Sequence, residues 1–285
     1  MTSGQSLLPL VIQAKTLEQL LGRQDLVVVE VGAYQAYSEE HVSGAFHLDY
    51  QSLLKGGDLA PDRPVPNILA EQQDLVACFS QLGIGQGKHV VAYDRDAGVS
   101  ACRFLWTLAL LGHERYSLLD GGWYSWEKES LLVDDLIPTP VGSVTDFIPV
   151  YNSAVRIKLD ELLPLVNQSS DQSSVTQIWD VRSPAEFAGL DKRSARVGHI
   201  PGAVNYEWKN ALDAELKIRP RKQLLEELAE AGLDPEQETI VYCQTHRRSS
   251  FAFMLAQYLG FKKVRGYDGS WCEWGNRQDT PVYSS

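Results

Sequence analysis

The residues best suited to chemistry lie in one run, Cys243-Gln244-Thr245-His246-Arg247-Arg248-Ser249. A cysteine is a nucleophile only as its thiolate, so its use depends on whatever lowers its pKa. His246, Arg247 and Arg248 put cationic or protonatable groups directly behind Cys243. The apolar stretch Ile240-Val241-Tyr242 before it reads as a buried strand, and a helix opens near Ser249. A helix start offers free N–H groups and the positive end of the dipole. Successive amides in a tight loop form a nest for an anion, and the Thr245 and Ser249 hydroxyls add donors. A cysteine at a strand end is by itself more often a packed thiol; the basic loop sets this one apart.

The elements that hold this loop occur twice. Val27-Val28-Val29-Glu30-Val31 has the character of Gln177-Ile178-Trp179-Asp180-Val181. The phrase His41-Val42-Ser43-Gly44-Ala45 answers His199-Ile200-Pro201-Gly202-Ala203. Val90-Val91-Ala92-Tyr93-Asp94 then matches the strand ending at Cys243, so Asp94 stands where the thiol would be. Apolar helices follow, from Ala101 to Leu111 and from Phe251 to Leu259, each closed by a glycine, Gly112 or Gly260. Last come Leu119-Asp120-Gly121-Gly122-Trp123 and Tyr267-Asp268-Gly269-Ser270-Trp271, with Trp126 and Trp274 beyond. The closing phrases keep one constant offset, whereas Asp94 and Cys243 stand one position further apart, so the loop-helix segment after Asp94 is one residue longer. The sequence reading puts that residue in the loop.

Within each half, near-continuous apolar strands alternate with amphipathic runs such as Gln223 to Ala231. That pattern predicts an α/β fold with a mainly parallel sheet covered by helices on both faces. Sites in such sheets lie beyond the carboxyl ends of the strands, where both Asp94 and Cys243 fall. Pro138, Pro140, Gly142, Ser143 and Pro149 mark a linker. The expected division is 1–135, a linker 136–154, and 155–285.

The chain has 285 residues, 44% of them hydrophobic, which suits two domains of ordinary size. No apolar run reaches the roughly 18 residues a membrane span needs, and no basic region precedes the short apolar stretch near the N-terminus. Free thiols in the cytoplasm are therefore expected, with no membrane partner. None of Cys78, Cys102, Cys243 and Cys272 forms a C-x-x-C pair, so neither a zinc site nor a dithiol is indicated, and no metal or cofactor is expected. A formal net charge of -11 argues against nucleic acid as a partner.

These paired phrases resemble the tandem-domain rhodanese family of thiosulfate and mercaptopyruvate sulfurtransferases, over nearly the whole chain. The most specific part is Ile240 to Ser250; Asp180-Val181-Arg182, Gly198 to Ala203 and Gly266 to Trp271 support it. The resemblance implies two tandem rhodanese-like domains, the second catalytic and the first an inactive copy, since a carboxylate at Asp94 carries no sulfane sulfur. It implies that Cys243 takes sulfur from a small anionic donor, holds it as a persulfide, and passes it to cyanide, a thiol or a protein acceptor. Gln244, Thr245, His246, Arg247, Arg248 and Ser249 are then substrate-binding, with at least one arginine on the donor. The loop differs from the Cys-Arg-Lys-Gly-Val-Thr and Cys-Gly-Ser-Gly-Val-Thr loops of the vertebrate enzymes and resembles a bacterial one. Glu186 stands near where those enzymes carry a substrate-binding arginine, so thiosulfate is expected over 3-mercaptopyruvate. Related phosphatases use a Cys-x5-Arg loop; here Arg248 comes one residue early, making the loop too tight for a phosphoryl group.

The remaining candidates carry milder expectations. Asp180 and Arg182 read first as an ion pair and second as pocket residues. Trp208 lines the pocket mouth or packs the core. His41 and His199 recur in both halves and are expected to be structural, as are the four repeated tryptophans. Cys78, Cys102 and Cys272 are expected to be small buried residues. An internal duplication leads to the expectation of a monomer.

Overall fold

The structure is a computed structural model describing residues 8–60, 63–139, 147–168 and 176–284. Of the linker markers, Pro140, Gly142 and Ser143 lie outside the described residues, as does the start of the N-terminal stretch. The chain divides into two compact units: Met1–Leu53, Ala70–Tyr151 and Glu215–Lys217 form one, and Leu54–Leu69, Asn152–Ala214 and Ile218–Ser285 the other. No helix among the described residues is long and apolar enough to cross a membrane.

Each unit is built on a parallel sheet with, among the described residues, five strands. In the first the order is Val11–Ile12, Tyr116–Leu119, His89–Tyr93, Leu26–Val31, Phe46–Leu48. In the second it is Arg156–Ile157, Lys263–Tyr267, Glu238–Tyr242, Thr176–Asp180, Ala203–Asn205. The order is the same, as the repeat requires. Val27 to Val31 and Ile240 to Tyr242 are buried throughout, because a parallel sheet covered on both faces leaves neither side of its central strands to water. β-branched residues suit that pleated, enclosed surface.

The repeated tryptophans are core residues. Trp123 and Trp126 pack with Val28, Val91 and Tyr93. Trp271 and Trp274 pack with Ile178, Ile240 and Tyr242. Each such side chain removed from water contributes about 1.5–3 kcal/mol, so these clusters hold the strand ends at which the functional loops begin. The amphipathic run forms the helix Arg221–Glu230, with Leu224 and Leu228 inward.

The expected extra loop residue is not in the loop. Helix Val99–Leu110 starts five residues after Asp94, and helix Arg248–Leu259 starts five after Cys243. The two loops are equal in length. The extra residue is Leu111, which precedes Gly112 at φ 82°, whereas Gly260 at φ 91° follows Leu259 directly. An additional residue is absorbed at the helix end, where the Leu111 amide makes one more bond, to the Thr107 carbonyl at 3.1 Å, while a loop wrapped round a buried atom has no room for one. A second correction concerns Cys78, which is partly exposed on helix Gln72–Gln81 rather than buried.

Candidate active site

Cys243 follows the last residue of strand Glu238–Tyr242 and is 1% exposed. The chain turns at once: His246 has φ 58°, a left-handed conformation, and Arg247 is the cap of helix Arg248–Leu259. The turn aims the Thr245 and Ser249 amides and the Ser249 hydroxyl at the cysteine sulfur. His246 Nδ1 lies 2.7 Å from Ser249 Oγ, and Ser250 Oγ donates to the His246 carbonyl at 2.5 Å, so the hydroxyl and the loop are held in place. The helix start thus supplies what its free N–H groups promise an anion.

Electrostatics separate Cys243 from the other thiols. Burial pushes it up, but the Arg248 guanidinium, the Ser249 hydroxyl and amide and the Thr245 amide outweigh burial and hold it below its ordinary value. Burial raises Cys78 to about 11 and also raises Cys102 and Cys272. Of the four, Cys243 is the thiol whose surroundings favour the thiolate.

Arg248, not Arg247, is the cation at the sulfur, and its orientation is fixed by Glu186. The fork is bidentate, Nη1 to Oε2 at 2.7 Å and Nη2 to Oε1 at 2.9 Å. Glu186 is itself fixed: it is the third residue of helix Pro184–Phe187, in a capping box with Ser183. Burial raises the Glu186 carboxyl, yet the bond to Arg248 and its charge bring it down to about 2. Arg193 adds a second cation, 3.5 Å from Glu186 Oε1. Glu186 therefore works through Arg248; its partner lies sixty-two residues away in sequence, which no local pattern shows.

The other candidates fall into a layer around the loop. Asp180 and Arg182 form a buried pair, with Nη2 to Oδ2 at 2.6 Å. Tyr242 donates its hydroxyl to Asp180, and Arg182 reaches the Gly198 carbonyl at 2.8 Å and lies 4.6 Å over the Trp271 ring. All of that binds the sheet end together. Trp208 is 7% exposed and packs edge-on against Phe251 of the helix that follows the loop, 5.7 Å between centroids. His199 stacks on Phe187 and bonds its carbonyl, as His41 stacks on Tyr37 and bonds its carbonyl. Gln244 points its Nε2 at Ser194 Oγ, 3.0 Å away. Among the described residues no group of three or more His, Cys, Asp or Glu side chains is gathered as a metal would need.

Sequence reasoning missed Ser270. Its Oγ accepts the Cys243 amide at 3.4 Å, and the next two amides, of Trp271 and Cys272, donate to the Cys243 and Gln244 carbonyls at 2.9 Å each. The signal was in the repeat: the matching residue in the first half is Gly122, and a Cβ there would meet the Asp94 carbonyl at 2.5 Å. Both residues share φ 51°.

The first half shows the same cradle with its anion built in. The Asp94 carboxylate accepts the amides of Asp96, Gly98, Ser100 and Ala101 at 2.7–2.9 Å. Burial raises this carboxyl and the amides offset part of that. The Trp123 amide donates to the Asp94 carbonyl at 3.0 Å, as that of Trp271 does to Cys243. Val99 stands in place of Arg248 and Ala36 in place of Glu186. Arg95 instead turns to Glu30, Nε to Oε1 at 2.7 Å, and lies 3.9 Å over Trp123.

Comparison with known proteins shows the repeat, with contiguous matches that leave residues 54–69 in the first copy and 215–217 in the second, where the compact units exchange them. The family model for the Rhodanese-like domain matches residues 13–129 and again 161–277. The thiosulfate sulfurtransferase of Pseudomonas aeruginosa is 37% identical over 276 residues, 96% of this chain and 97% of that one. The thiosulfate sulfurtransferase of Azotobacter vinelandii is 35% identical over 275 residues, with the same coverage of 96% and 97%. Among solved structures, the anaerobic ergothioneine biosynthesis enzyme from Chlorobium limicola superposes with a TM-score of 0.82 at 23% identity, over 97% of this chain and 70% of that one, a likeness of fold.

Proposed function

The chain belongs to the rhodanese family, with two Rhodanese-like domains in tandem, and on that premise we propose that it is a sulfurtransferase that takes sulfane sulfur from thiosulfate onto Cys243. The observation that carries this reading is the lowered thiol of Cys243, held by two amides, a hydroxyl and Arg248 at the end of a strand. The Cys243 thiolate attacks the outer sulfur of thiosulfate. The S–S bond breaks, sulfite leaves with its electron pair, and the cysteine is left as a persulfide. Cyanide or a thiolate then attacks the outer sulfur, and thiocyanate or a new persulfide departs as the Cys243 thiolate is restored. The surroundings that lower the Cys243 thiol favour the thiolate, so the step uses no separate general base.

Arg248 is proposed to face the donor sulfonate, with Thr245, Ser249 and His246 shaping the cradle and Arg247 and Gln244 at its rim. A compact sulfonate sits close to the attacked sulfur, within reach of the loop donors. Mercaptopyruvate carries its carboxylate further out and needs a remote cation, and Glu186 supplies a negative charge there, already committed to Arg248. The inactive domain is proposed to span 1–135 and the catalytic one 155–285. A cytoplasmic monomer without cofactor is proposed with them, and the four free cysteines support a reducing compartment.

The test is Cys243→Ala, which should abolish turnover of thiosulfate with cyanide. Intact and peptide masses after thiosulfate treatment should show one added sulfur per chain, on the peptide holding Cys243. Sulfur found on Cys102 or Cys272 instead would remove the assignment.

A further inference from the structure

The loop 189–196 carries features that sulfur transfer to cyanide does not use. Leu190 is 84% exposed, more than any other large hydrophobic side chain described. Its backbone is nevertheless fixed: Gly189 turns the chain at φ 80°, and the Leu190 and Asp191 amides both donate to the Ala185 carbonyl, at 2.8 and 3.1 Å. An apolar side chain on a fixed backbone loses little entropy when a partner covers it. Lys192 beside it is exposed and makes no ion pair among the described residues. Arg193 is 51% exposed, 2.9 Å from Asp191 and 3.5 Å from buried Glu186. A shallow surface depression of about 480 Å³ is bordered by Lys192, Arg193, Ser194, Ala195 and Asn276. The loop is fastened to the nucleophile's own loop, since Gln244 Nε2 donates to Ser194 Oγ at 3.0 Å and to the Arg193 carbonyl at 3.3 Å.

Resting on the persulfide reading above, we propose that this loop is a docking surface for a protein sulfur acceptor, one whose cysteine lies on an acidic surface segment with an apolar side chain beside it. Charge complementarity picks the partner. The chain carries a net charge of -11, so an acidic segment is repelled over most of its surface and drawn to Lys192, the cation of this loop that is not already balanced as Arg193 is by Asp191 and Glu186. Leu190 gives the apolar anchor that charge alone lacks. A segment seated in this depression lies against Ser194, whose hydroxyl is bonded to Gln244, the residue next to Cys243. The acceptor thiol gives its proton to water and its thiolate attacks the outer sulfur of the Cys243 persulfide. The S–S bond breaks, its electron pair returns to Cys243, and the acceptor leaves as the persulfide, with no outside oxidant.

The experiment uses full-length protein first loaded with thiosulfate, and two synthetic peptides of equal length. Each has one cysteine next to a leucine, flanked in one by aspartates and in the other by lysines. Wild type should transfer sulfur faster to the acidic peptide. Leu190→Ser/Lys192→Glu should lower that rate about ten-fold, and Lys192→Glu alone should shift preference toward the basic peptide, while thiosulfate turnover with cyanide stays unchanged in both. Equal rates for the two peptides in wild type, or no response in the variants, would overturn the docking surface. Failure of Cys243 to load at all is a separate result, read by mass before any peptide is added, and it would remove the sulfurtransferase reading beneath.

Discussion

Replacing Arg248 by alanine removes the guanidinium beside the Cys243 sulfur and leaves buried Glu186 with only the half-exposed Arg193, 3.5 Å away. The first loss should cut kcat/KM for thiosulfate roughly ten- to a hundred-fold, the worth of a charge-assisted hydrogen bond of about 1.5–3 kcal/mol. The second should cost stability, up to about 3–5 kcal/mol, because the buried carboxylate loses its bidentate partner and keeps only Arg193. Arg248→Ala with Glu186→Gln separates them: the denaturant midpoint should recover while kcat/KM stays low, and recovery of both would make Arg248 purely structural. Arg247→Ala should change little. The sequence offered both arginines and no way to choose, because the choice turns on whether the helix starts at 247 or 248, and helix starts are ambiguous by a residue or two. The same site fixes two pH responses. For Glu186 the folded value is depressed, so its pair with Arg248 stabilises fully above the ordinary value of 4.5 and is lost as pH falls toward about 2. In Glu186→Gln the acid limb of the stability curve should be shallower across that window. For the thiol, burial is outweighed by Arg248 and its hydrogen-bond donors, so sulfur loading should hold its rate below the ordinary thiol value of 9.0, and Ser249→Ala should move the inflection of the kcat/KM profile upward.

At the scale of elements, the loop and the start of helix Ser270–Trp274 form one unit joined through the Cys243 backbone. Ser270→Gly suits the left-handed backbone of 51° and removes the hydroxymethyl group whose oxygen accepts the Cys243 amide and donates to the Tyr267 carbonyl. It should lower kcat while leaving KM for thiosulfate nearly unchanged, since it touches the nucleophile's placement and not the donor; steady-state kinetics on both constants checks this. Much of this level was legible from the chain. Strand, loop and helix around Cys243 followed from apolar runs and the closing glycine, and the duplicated phrases located both loops. What stayed hidden were contacts between segments far apart, such as Glu186 with Arg248, and the place of one extra residue. Offsets between repeats count an insertion without locating it; Leu111 became visible only once both helix starts were known.

Over the whole molecule, one architecture appears with its anion site open in one unit and filled in the other. Asp94→Cys should not yield a second transferable sulfur. The reason is not loop length, which is equal, but the missing cation: Val99 and Ala36 stand where Arg248 and Glu186 stand in the second unit. Counting sulfurs per chain after thiosulfate decides this, and two would refute it. Asp94→Ala should be costly in another way, by leaving four amides without an acceptor, at a penalty of about 3 kcal/mol or more. That internal carboxylate also bears on heredity. Aspartate and cysteine codons differ at more than one base, and the single-step intermediates between them encode glycine or tyrosine. Glycine would leave the amides at position 94 empty, and tyrosine would force a ring into a space shaped for a carboxylate. A saturation library at 94, sorted by folding, should therefore find both intermediates among its poorest members. A single-base path from Asp94 to a thiol then crosses a folding defect at its first step.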